Sequence, residues 1–141
     1  MAEDGTAGGF EPVLDAALAA VFTDYAEGFD DFDAARILDC FAFPATIWQM
    51  GKGNVFLDAE ELGENVEALL AVFEREEIVR STYRVRSAAT AGAAAFVTLD
   101  WRQEREGGDA ALEFTCHYTL IRQVAGEGEP GDWLIALAVN D

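Results

Sequence analysis

A change in hydrophobic period near Ile78 limits what this chain can fold into more than any other feature of its sequence. Before that point apolar residues recur every three or four positions, as on one face of a helix, and after it apolar and polar residues alternate, as in strands. Turn-forming residues divide the alternating part into four stretches, at about 78–89, 93–106, 110–125 and 132–139. The sequence therefore predicts an α+β fold in which helices precede an antiparallel meander.

Two helices are predicted before the first proline-containing strand. Pro12 suits the first position of a helix because its missing N–H has no helical partner there. Asp30 and Asp31 then interrupt the chain and cap a shorter second helix, which Pro44 ends. The predicted buried faces are Leu14, Leu18, Val21, Phe22, Tyr25 and Phe29 in the first helix, and Ala34, Ile37, Leu38 and Phe41 in the second.

A short strand unit and a third helix follow. The segment PATIWQM (44–50) is predicted to be a strand, and residues 51–54 a turn before a second short strand at 55–57. Asp58, with Glu61 three residues later, resembles a capping box that opens a helix to about Glu77. The predicted buried face of this helix is Leu62, Val66, Leu69, Leu70 and Phe73.

Turn chemistry predicts the register of the meander. Gly107 and Gly108 can supply the positive φ values of a two-residue type I′ loop. Folding there pairs apolar residues on one face of the sheet, namely Trp101–Phe114, Leu99–Cys116 and Val97–Tyr118. On the other face it pairs polar residues, namely Arg102–Glu113, Asp100–Thr115 and Thr98–His117. For the preceding hairpin, a three-residue loop at 90–92 is predicted to set Val85 opposite Val97 and Tyr83 opposite Leu99.

The run EFTCHYTLIR (113–122) holds the chain's one histidine beside a cysteine and a tyrosine. Because strand side chains alternate, Cys116 and Tyr118 are expected on one face and His117 on the other. They cannot then form a nucleophilic pair, which requires hydrogen-bond contact. Cys116 and Cys40 match no metal or redox spacing, so two free thiols are predicted.

The net charge of −18 limits the partners of this protein. Nucleic acid and anionic membranes would be repelled, so neither is expected to bind. No apolar run approaches the ~20 residues of a membrane span, and the first residues lack the basic and apolar regions of a secretory signal. A cytoplasmic location is therefore expected, and no metal site, phosphate loop or other cofactor motif is recognised.

The order of elements resembles the nuclear transport factor two-like cone fold, which ketosteroid isomerase, scytalone dehydratase and the polyketide cyclases share. The sharpest local match is YAEGFDDFDAARILDCFAFPATIW (25–48), which is similar to the end of the family's first helix, its aspartate-capped second helix and the entry to its first strand. The resemblance covers about residues 10–140. It implies three helices packed in the concave face of a strongly curved, mainly antiparallel sheet, the cystatin-like cone, with residues 1–10 as a flexible tail and 11–141 as a single domain.

The resemblance also assigns the two faces of the sheet. The concave face is expected to hold Val79, Ser81, Tyr83, Val85, Val97, Leu99, Trp101, Phe114, Cys116, Tyr118 and Leu120. The outer face is expected to hold Thr82, Arg84, Arg86, Thr98, Asp100, Arg102, Thr115, His117 and Thr119. The last strand, WLIALAV (133–139), is apolar on both faces, which packing against a second copy would explain. A homodimer through the outer face is therefore expected.

The resemblance implies two kinds of catalysis. Isomerase members use a carboxylate on the first strand as the base and a tyrosine to stabilise the oxyanion. Tyr25 could match that tyrosine, but the first strand of this chain has no carboxylate. Dehydratase members use histidines and an aspartate. His117 and Asp100 are the catalytic candidates here, but they face the pocket only if the register slips by one residue. That slip would expose several large apolar side chains, at a cost of ~1.5–3 kcal/mol each.

Aromatic residues with polar tips indicate an apolar pocket. The candidates to line it are Tyr25, Trp48, Tyr83, Trp101, Cys116 and Tyr118. Core packing explains most of them more simply, and Tyr25, Trp48 and Tyr118 are the better candidates for the pocket. The sequence thus predicts a cone-fold homodimer that binds a small apolar molecule, with or without lyase or isomerase activity. The alternative is a non-enzymatic domain that serves in dimerisation or interaction.

Overall fold

The computed structural model describes residues 13–126 and 129–141, so the predicted tail at 1–10 lies outside the described residues. The elements in chain order are α1 (Ala16–Asp30), α2 (Ala34–Leu38), β1 (Phe41–Gln49), β2 (Lys52–Phe56), α3 (Ala59–Arg75), β3 (Ile78–Ala91), β4 (Ala94–Arg105), β5 (Ala110–Gly126) and β6 (Glu129–Asn140).

The strands form one curled, mixed sheet in the order β2-β1-β6-β5-β4-β3. Only the contact between β1 and β6 is parallel, and the other neighbours are antiparallel. The three helices pack with this sheet around a common hydrophobic core, which confirms the predicted α+β cone. Within the described residues, no helix has the length and apolar character needed to cross a membrane.

Aspartates cap the first two helices, and the cap of the second helix is not at its predicted position. Asp15 accepts a hydrogen bond from the backbone N–H of Leu18 at 2.9 Å, so α1 begins at Ala16. Pro12, the predicted first residue of this helix, lies outside the described residues. Asp33 caps α2 by accepting from the backbone N–H of Arg36 at 3.2 Å. The prediction that Asp30 and Asp31 cap the second helix is therefore wrong.

Asp30 instead joins the end of α1 to the sheet. Its carboxylate accepts a hydrogen bond from the backbone N–H of Ser81 at 2.7 Å. Partial burial raises the pKa of Asp30, and the bond from Ser81 opposes that effect. The neighbouring turn of α1 is held to α2 by Arg36, whose guanidinium contacts Asp24 at 3.1 Å and also pairs with Glu27.

The first strand is longer than its sequence indicates. The helix α2 ends at Leu38, and β1 begins at Phe41, so Pro44 lies inside the strand after a cis peptide bond and does not end the helix as predicted. The pairing of β1 with β6 is irregular between Phe41 and Thr46, where the proline has no N–H to donate.

The turn after β1 is also displaced from its predicted place. Met50 and Gly51 have φ values of 55° and 75°, as the two central residues of a type I′ loop require. The predicted turn at 51–54 is wrong, because Lys52–Phe56 forms β2 and pairs with β1.

The third helix follows its predicted capping pattern. Asp58 accepts from the backbone N–H of Glu61 at 2.9 Å, and the carboxylate of Glu61 accepts from the backbone N–H of Leu57 at 2.8 Å. The predicted face is buried at Leu62, Val66, Leu70 and Phe73. Leu69 is the exception, with 37% of its surface exposed.

The register of β4 and β5 is confirmed in all six predicted pairs, from Val97–Tyr118 to Arg102–Glu113. The loop that joins the strands is not the predicted one. Backbone hydrogen bonds between Arg105 and Asp109 enclose a loop of three residues, and of its two glycines only Gly108 has a positive φ. The pairing of the two strands also shifts by one residue between Gln103 and Glu104. One additional loop residue and one bulge compensate each other, so the register beyond them is unchanged.

The register of β3 and β4 differs from its prediction by two residues. Ala91 pairs with Ala94 across a two-residue loop, so Tyr83 lies opposite Trp101 and Val85 opposite Leu99. Because a shift of two preserves the direction of every side chain, the face assignment survives.

Burial follows the predicted faces with one exception. The core contains Val97, Leu99, Trp101, Cys116, Tyr118 and Leu120 from the concave face. Val79 is 49% exposed, because the pairing with β4 shifts between Ile78 and Arg80 and buries Ile78 in its place. The prediction that Val79 faces the helices is therefore wrong.

Two helical glycines should respond in opposite ways to a methyl group. A Cβ at Gly28 in α1 would lie 2.8 Å from Cγ1 of Ile37, whereas one at Gly63 in α3 would meet only Leu38, at 3.5 Å. We expect Gly63→Ala to stabilise the fold by up to about 1 kcal/mol through helix propensity. Gly28→Ala should lose that gain and destabilise the protein because α2 must move. Chemical denaturation of both variants tests this, and equal stabilisation would contradict the close packing of α1 and α2.

The contact of Asp30 with Ser81 and the partial burial of its carboxyl together predict a pH-dependent difference between two substitutions. Asp30→Ala should destabilise the protein by about 1 kcal/mol, because the N–H of Ser81 loses its acceptor.

Asp30→Asn keeps an acceptor oxygen without the charge. A carboxyl whose pKa is raised on folding contributes stability at low pH that is lost as the pH rises through its folded pKa. The advantage of Asp30→Asn over wild type should therefore grow between about pH 4 and neutral pH in urea denaturation, and a pH-independent difference would contradict it.

Candidate functional site

A cavity of about 560 Å³ lies between the concave face of the sheet and the helices. Its apolar wall includes Phe29, Phe41, Ile47, Leu62, Val66, Phe73, Trp101 and Phe114. Met50, Leu69 and Leu112 also contribute to the wall, and all three are exposed apolar residues. The cavity thus has an apolar interior and an apolar rim.

Tyr25 of α1 lies at the centre of an aromatic cluster in this wall. Its ring contacts those of Phe29, Phe41, Trp101 and Tyr118, with centroid separations from 5.1 to 6.4 Å in edge-on or tilted geometries. Such contacts fix ring orientations more strongly than area burial alone. The ring of Tyr25 is therefore held, while its hydroxyl has no hydrogen-bond partner within 13–126 and 129–141.

A second hydroxyl in the wall is oriented by a neighbour. The indole N–H of Trp101 donates to the hydroxyl oxygen of Tyr118 at 2.8 Å. Burial raises the pKa of both Tyr118 and Tyr25 well above the ordinary value, so both phenols are neutral at physiological pH. Each can donate a hydrogen bond to a bound molecule, since neither becomes a phenolate.

The cysteine in the wall is not activated. Burial raises the pKa of the Cys116 thiol to about 11, because the thiolate would be poorly solvated there. At physiological pH the thiol is neutral and behaves as a small apolar group. Cys116 therefore shapes the cavity and does not supply a nucleophile.

Gln103 is the buried amide in the wall, with 4% of its surface exposed. Its side-chain oxygen accepts a hydrogen bond from the hydroxyl of Ser81, which lies opposite it on β3. Sequence analysis missed Gln103, although it continues the inward-facing row of Val97, Leu99 and Trp101. The alternation on β4 was the signal that could have identified it.

Carboxylates line the cavity only at Glu113 and Asp141, as far as the described residues form its wall. Both side chains are largely exposed. In the described part of the chain, no group of three or more His, Cys, Asp and Glu side chains could hold a metal ion.

Four of the six predicted pocket residues line the cavity, namely Tyr25, Trp101, Cys116 and Tyr118. Trp48 and Tyr83 are not among the described residues that line this cavity, and Tyr83 instead lines a second cavity together with Trp101 and Phe114. On β1 the cavity is lined by Phe41, Ile47 and Gln49. Trp48 is 45% exposed, and its ring covers Gly53, where a Cβ would come within 2.6 Å of it.

Tyr83 belongs instead to the aromatic packing beside the cavity. Its ring contacts Trp101 edge-on at 5.2 Å and Phe22 at 6.2 Å. Burial raises the pKa of Tyr83, as it does for the two cavity tyrosines.

The catalytic candidates His117 and Asp100 both lie on the outer face. His117 shares a hydrogen bond of 2.9 Å between its Nδ1 and Thr98, and one of 2.7 Å between its Nε2 and Asp141. Asp100 accepts from the hydroxyl of Thr115 at 2.7 Å and pairs with Arg84 at 3.2 Å. Thr115 and then the arginines hold the pKa of Asp100 below its usual value. The structure therefore brings neither residue into the cavity, nor the two together.

The chain matches known proteins at the level of family and fold. A profile described as NTF2-like protein (DUF6841) matches residues 15–139. A candidate ketosteroid isomerase from Shewanella frigidimarina is 17% identical, with 90% of this chain and 96% of that chain covered, at a TM-score of 0.67. A protein of unknown function with a cystatin-like fold from Nostoc punctiforme is 16% identical, with 93% of each chain covered, at a TM-score of 0.64.

A third similar structure is a candidate dehydratase of the NTF2-like family from Streptomyces avermitilis. It is 12% identical, with 88% of this chain and 91% of that chain covered, at a TM-score of 0.58. At these identities the structural similarity shows the fold alone. A search of the curated proteins found no match. Because the family profile spans most of its length, the chain belongs to the NTF2-like family described as DUF6841.

Proposed function

We propose that this protein is a homodimer that binds a small, neutral and largely apolar molecule in its cavity. The observation that supports this most directly is the cavity itself, whose volume of about 560 Å³ falls within the ~300–1,000 Å³ typical of ligand pockets. A cone filled by side chains would leave no such volume.

The polarity of the wall supports a neutral ligand. Neutral hydroxyls at Tyr25 and Tyr118 and a neutral thiol at Cys116 accompany the apolar residues. Among the described lining residues there is no lysine, arginine or histidine. An anionic ligand would lose its hydration without gaining an opposite charge, which is costly in an apolar site. The carboxylates that could pair with a cation, Glu113 and Asp141, are largely exposed and lie away from the apolar interior.

A reaction at this site would be of the lyase or isomerase type, by analogy with relatives that are named as a candidate ketosteroid isomerase and a candidate dehydratase. Proton abstraction needs a base within hydrogen-bond reach of the substrate. In the described wall the carboxylates are Glu113 and Asp141, and Asp141 is already paired with His117. The geometry therefore supports binding better than it supports proton transfer.

The proposed dimer uses an outer apolar patch on β4, β5 and β6. Its members are half-buried or exposed, and they are Phe96, Ile121, Leu134, Leu137 and Val139. Cross-strand pairing makes them contiguous, since Thr119 lies opposite both Phe96 and Leu137, and Ile121 lies opposite Leu134. Patches of this kind on a soluble domain mark interaction surfaces. This patch also supports the second candidate function, a domain that serves only in dimerisation or interaction.

Narrowing the cavity should weaken binding without unfolding the protein. Ala138 lies in the cavity wall on β6, so Ala138→Leu directs three additional carbons into the cavity. We expect native mass spectrometry to detect a small molecule retained by the wild-type protein, and the variant to retain about tenfold less. Ala89→Leu, at an exposed position of β3, is the matched control and should retain as much as wild type.

The neutral dye Nile red provides a second measurement in the same proteins. It should fluoresce with wild type and with Ala89→Leu, and only weakly with Ala138→Leu. Absence of both a retained molecule and dye binding in wild type would refute ligand binding and leave the dimerisation function.

Charging the outer apolar patch should dissociate the dimer. Leu137→Asp places a carboxylate on the patch, where burial in an interface would leave it unpaired. Analytical ultracentrifugation at micromolar concentration should give twice the 15.3 kDa chain mass for wild type and the chain mass for Leu137→Asp. Val55→Asp, at an exposed apolar residue on β2, is the control and should remain dimeric. A wild-type protein at the chain mass would rule out the dimer.

A further inference from the structure

We infer that Gln103 is the specificity-determining residue of the cavity, where its side-chain amide donates a hydrogen bond to a neutral carbonyl-type oxygen of the ligand. This inference rests on the proposed function and adds the ligand's polar group to it. Ser81 and Asp30 act as positioning residues that orient the amide without touching the ligand.

The hydrogen bonds of Gln103 are half satisfied. A primary amide offers one acceptor oxygen and two N–H donors. The oxygen accepts from the hydroxyl of Ser81, while the nitrogen has no hydrogen-bond partner among residues 13–126 and 129–141. The side chain is almost fully buried and lines the cavity. The nitrogen is not one of the fully buried donors that lack a partner in the described chain, so it reaches the open space of the cavity, where a bound molecule can accept its hydrogen bonds.

The orientation of the amide follows from its contact with Ser81. Because Ser81 engages the oxygen, the N–H groups are directed away from β3 and toward the cavity. Ser81 lies opposite Gln103 in the sheet, and its own backbone N–H is held by Asp30 at 2.7 Å. The amide is therefore positioned by two successive hydrogen bonds that begin at the end of α1.

The other polar groups of the interior agree with an acceptor on the ligand. Trp101 donates to the oxygen of Tyr118, and the hydroxyl proton of Tyr118 lies beside the thiol of Cys116, so a ligand acceptor would share it with that sulfur. Burial keeps Tyr25 and Tyr118 protonated, so they add donors to those of Gln103. A carboxylate ligand would meet no cation in the described wall and would approach a chain of net charge −18. A ketone, ester or amide oxygen satisfies the donors without adding charge.

The experiment compares two probes of nearly equal shape, acetylnaphthalene and ethylnaphthalene, which differ in one carbonyl oxygen. Their affinities are measured by fluorescence titration for wild type, Gln103→Met and Ser81→Ala. Methionine keeps the length and packing of the side chain and removes its donors. We expect Gln103→Met to bind acetylnaphthalene about five- to tenfold more weakly, as the loss of one hydrogen bond predicts, with ethylnaphthalene unchanged.

Ser81→Ala keeps the amide and removes its orientation. We expect a loss of about two- to threefold for the ketone and none for the hydrocarbon, and this variant decides the question if Gln103→Met does not fold. Equal losses for both probes, or no loss for either, would overturn the role of Gln103. If wild type binds neither probe, the proposed binding function fails, and this inference fails with it.

Discussion

The pairing of β4 with β5 is the constraint on which the rest of the structure depends. Leu99 opposite Cys116 and Val97 opposite Tyr118 present apolar side chains to the helices, while the residues between them carry charge to the outside. A slip of one residue would exchange the two faces and expose the core, so apolar burial selects this register strongly. The hydrogen bond between Trp101 and Tyr118, two residues of the cavity wall, depends on this register.

The sequence was sufficient to predict which side chains of the meander face the helices, because the alternation of apolar and polar residues extends over whole strands. Loops were harder, since their length depends on local backbone conformation. Both predicted hairpin loops were wrong, yet one error was cancelled by a bulge and the other shifted β3 by two residues. Even shifts preserve the direction of side chains, so Tyr83 and Val85 stayed on the predicted face.

The errors that mattered for the site came from odd shifts and from packing between distant segments. Val79 turned outward because one irregular pair near the start of β3 reversed its direction. Trp48 was assigned to the cavity as an aromatic residue with a polar tip, but its ring covers Gly53 on the neighbouring strand. The pairing of His117 with Asp141 joins two residues with no sequence signal between them. Such contacts arise from tertiary structure and cannot be found from period or spacing.

Charge in this protein is concentrated at the surface, and Glu113 and Asp141 are the carboxylates of the described cavity wall. The acidic residues of the described chain are largely exposed, while the cavity interior holds hydroxyl, thiol and amide groups whose protons stay in place at physiological pH. The large charge therefore acts on what approaches the protein, through long-range repulsion of anions. Selection within the cavity depends on shape and on single hydrogen bonds.

The position of Asp30 has a consequence for how this family member can change. Asp30 and Asp31 stand at the negative end of the α1 dipole, where a basic residue would be favoured and the last turn has none. A lysine or arginine there would strengthen the helix, yet it would release Ser81 and the strand position that Gln103 shares. The helix-dipole gain of up to about 1 kcal/mol is no larger than the cost of leaving the N–H of Ser81 without an acceptor, so stability alone does not favour a basic residue here. The aspartate thus serves the end of the helix and the cavity wall at once.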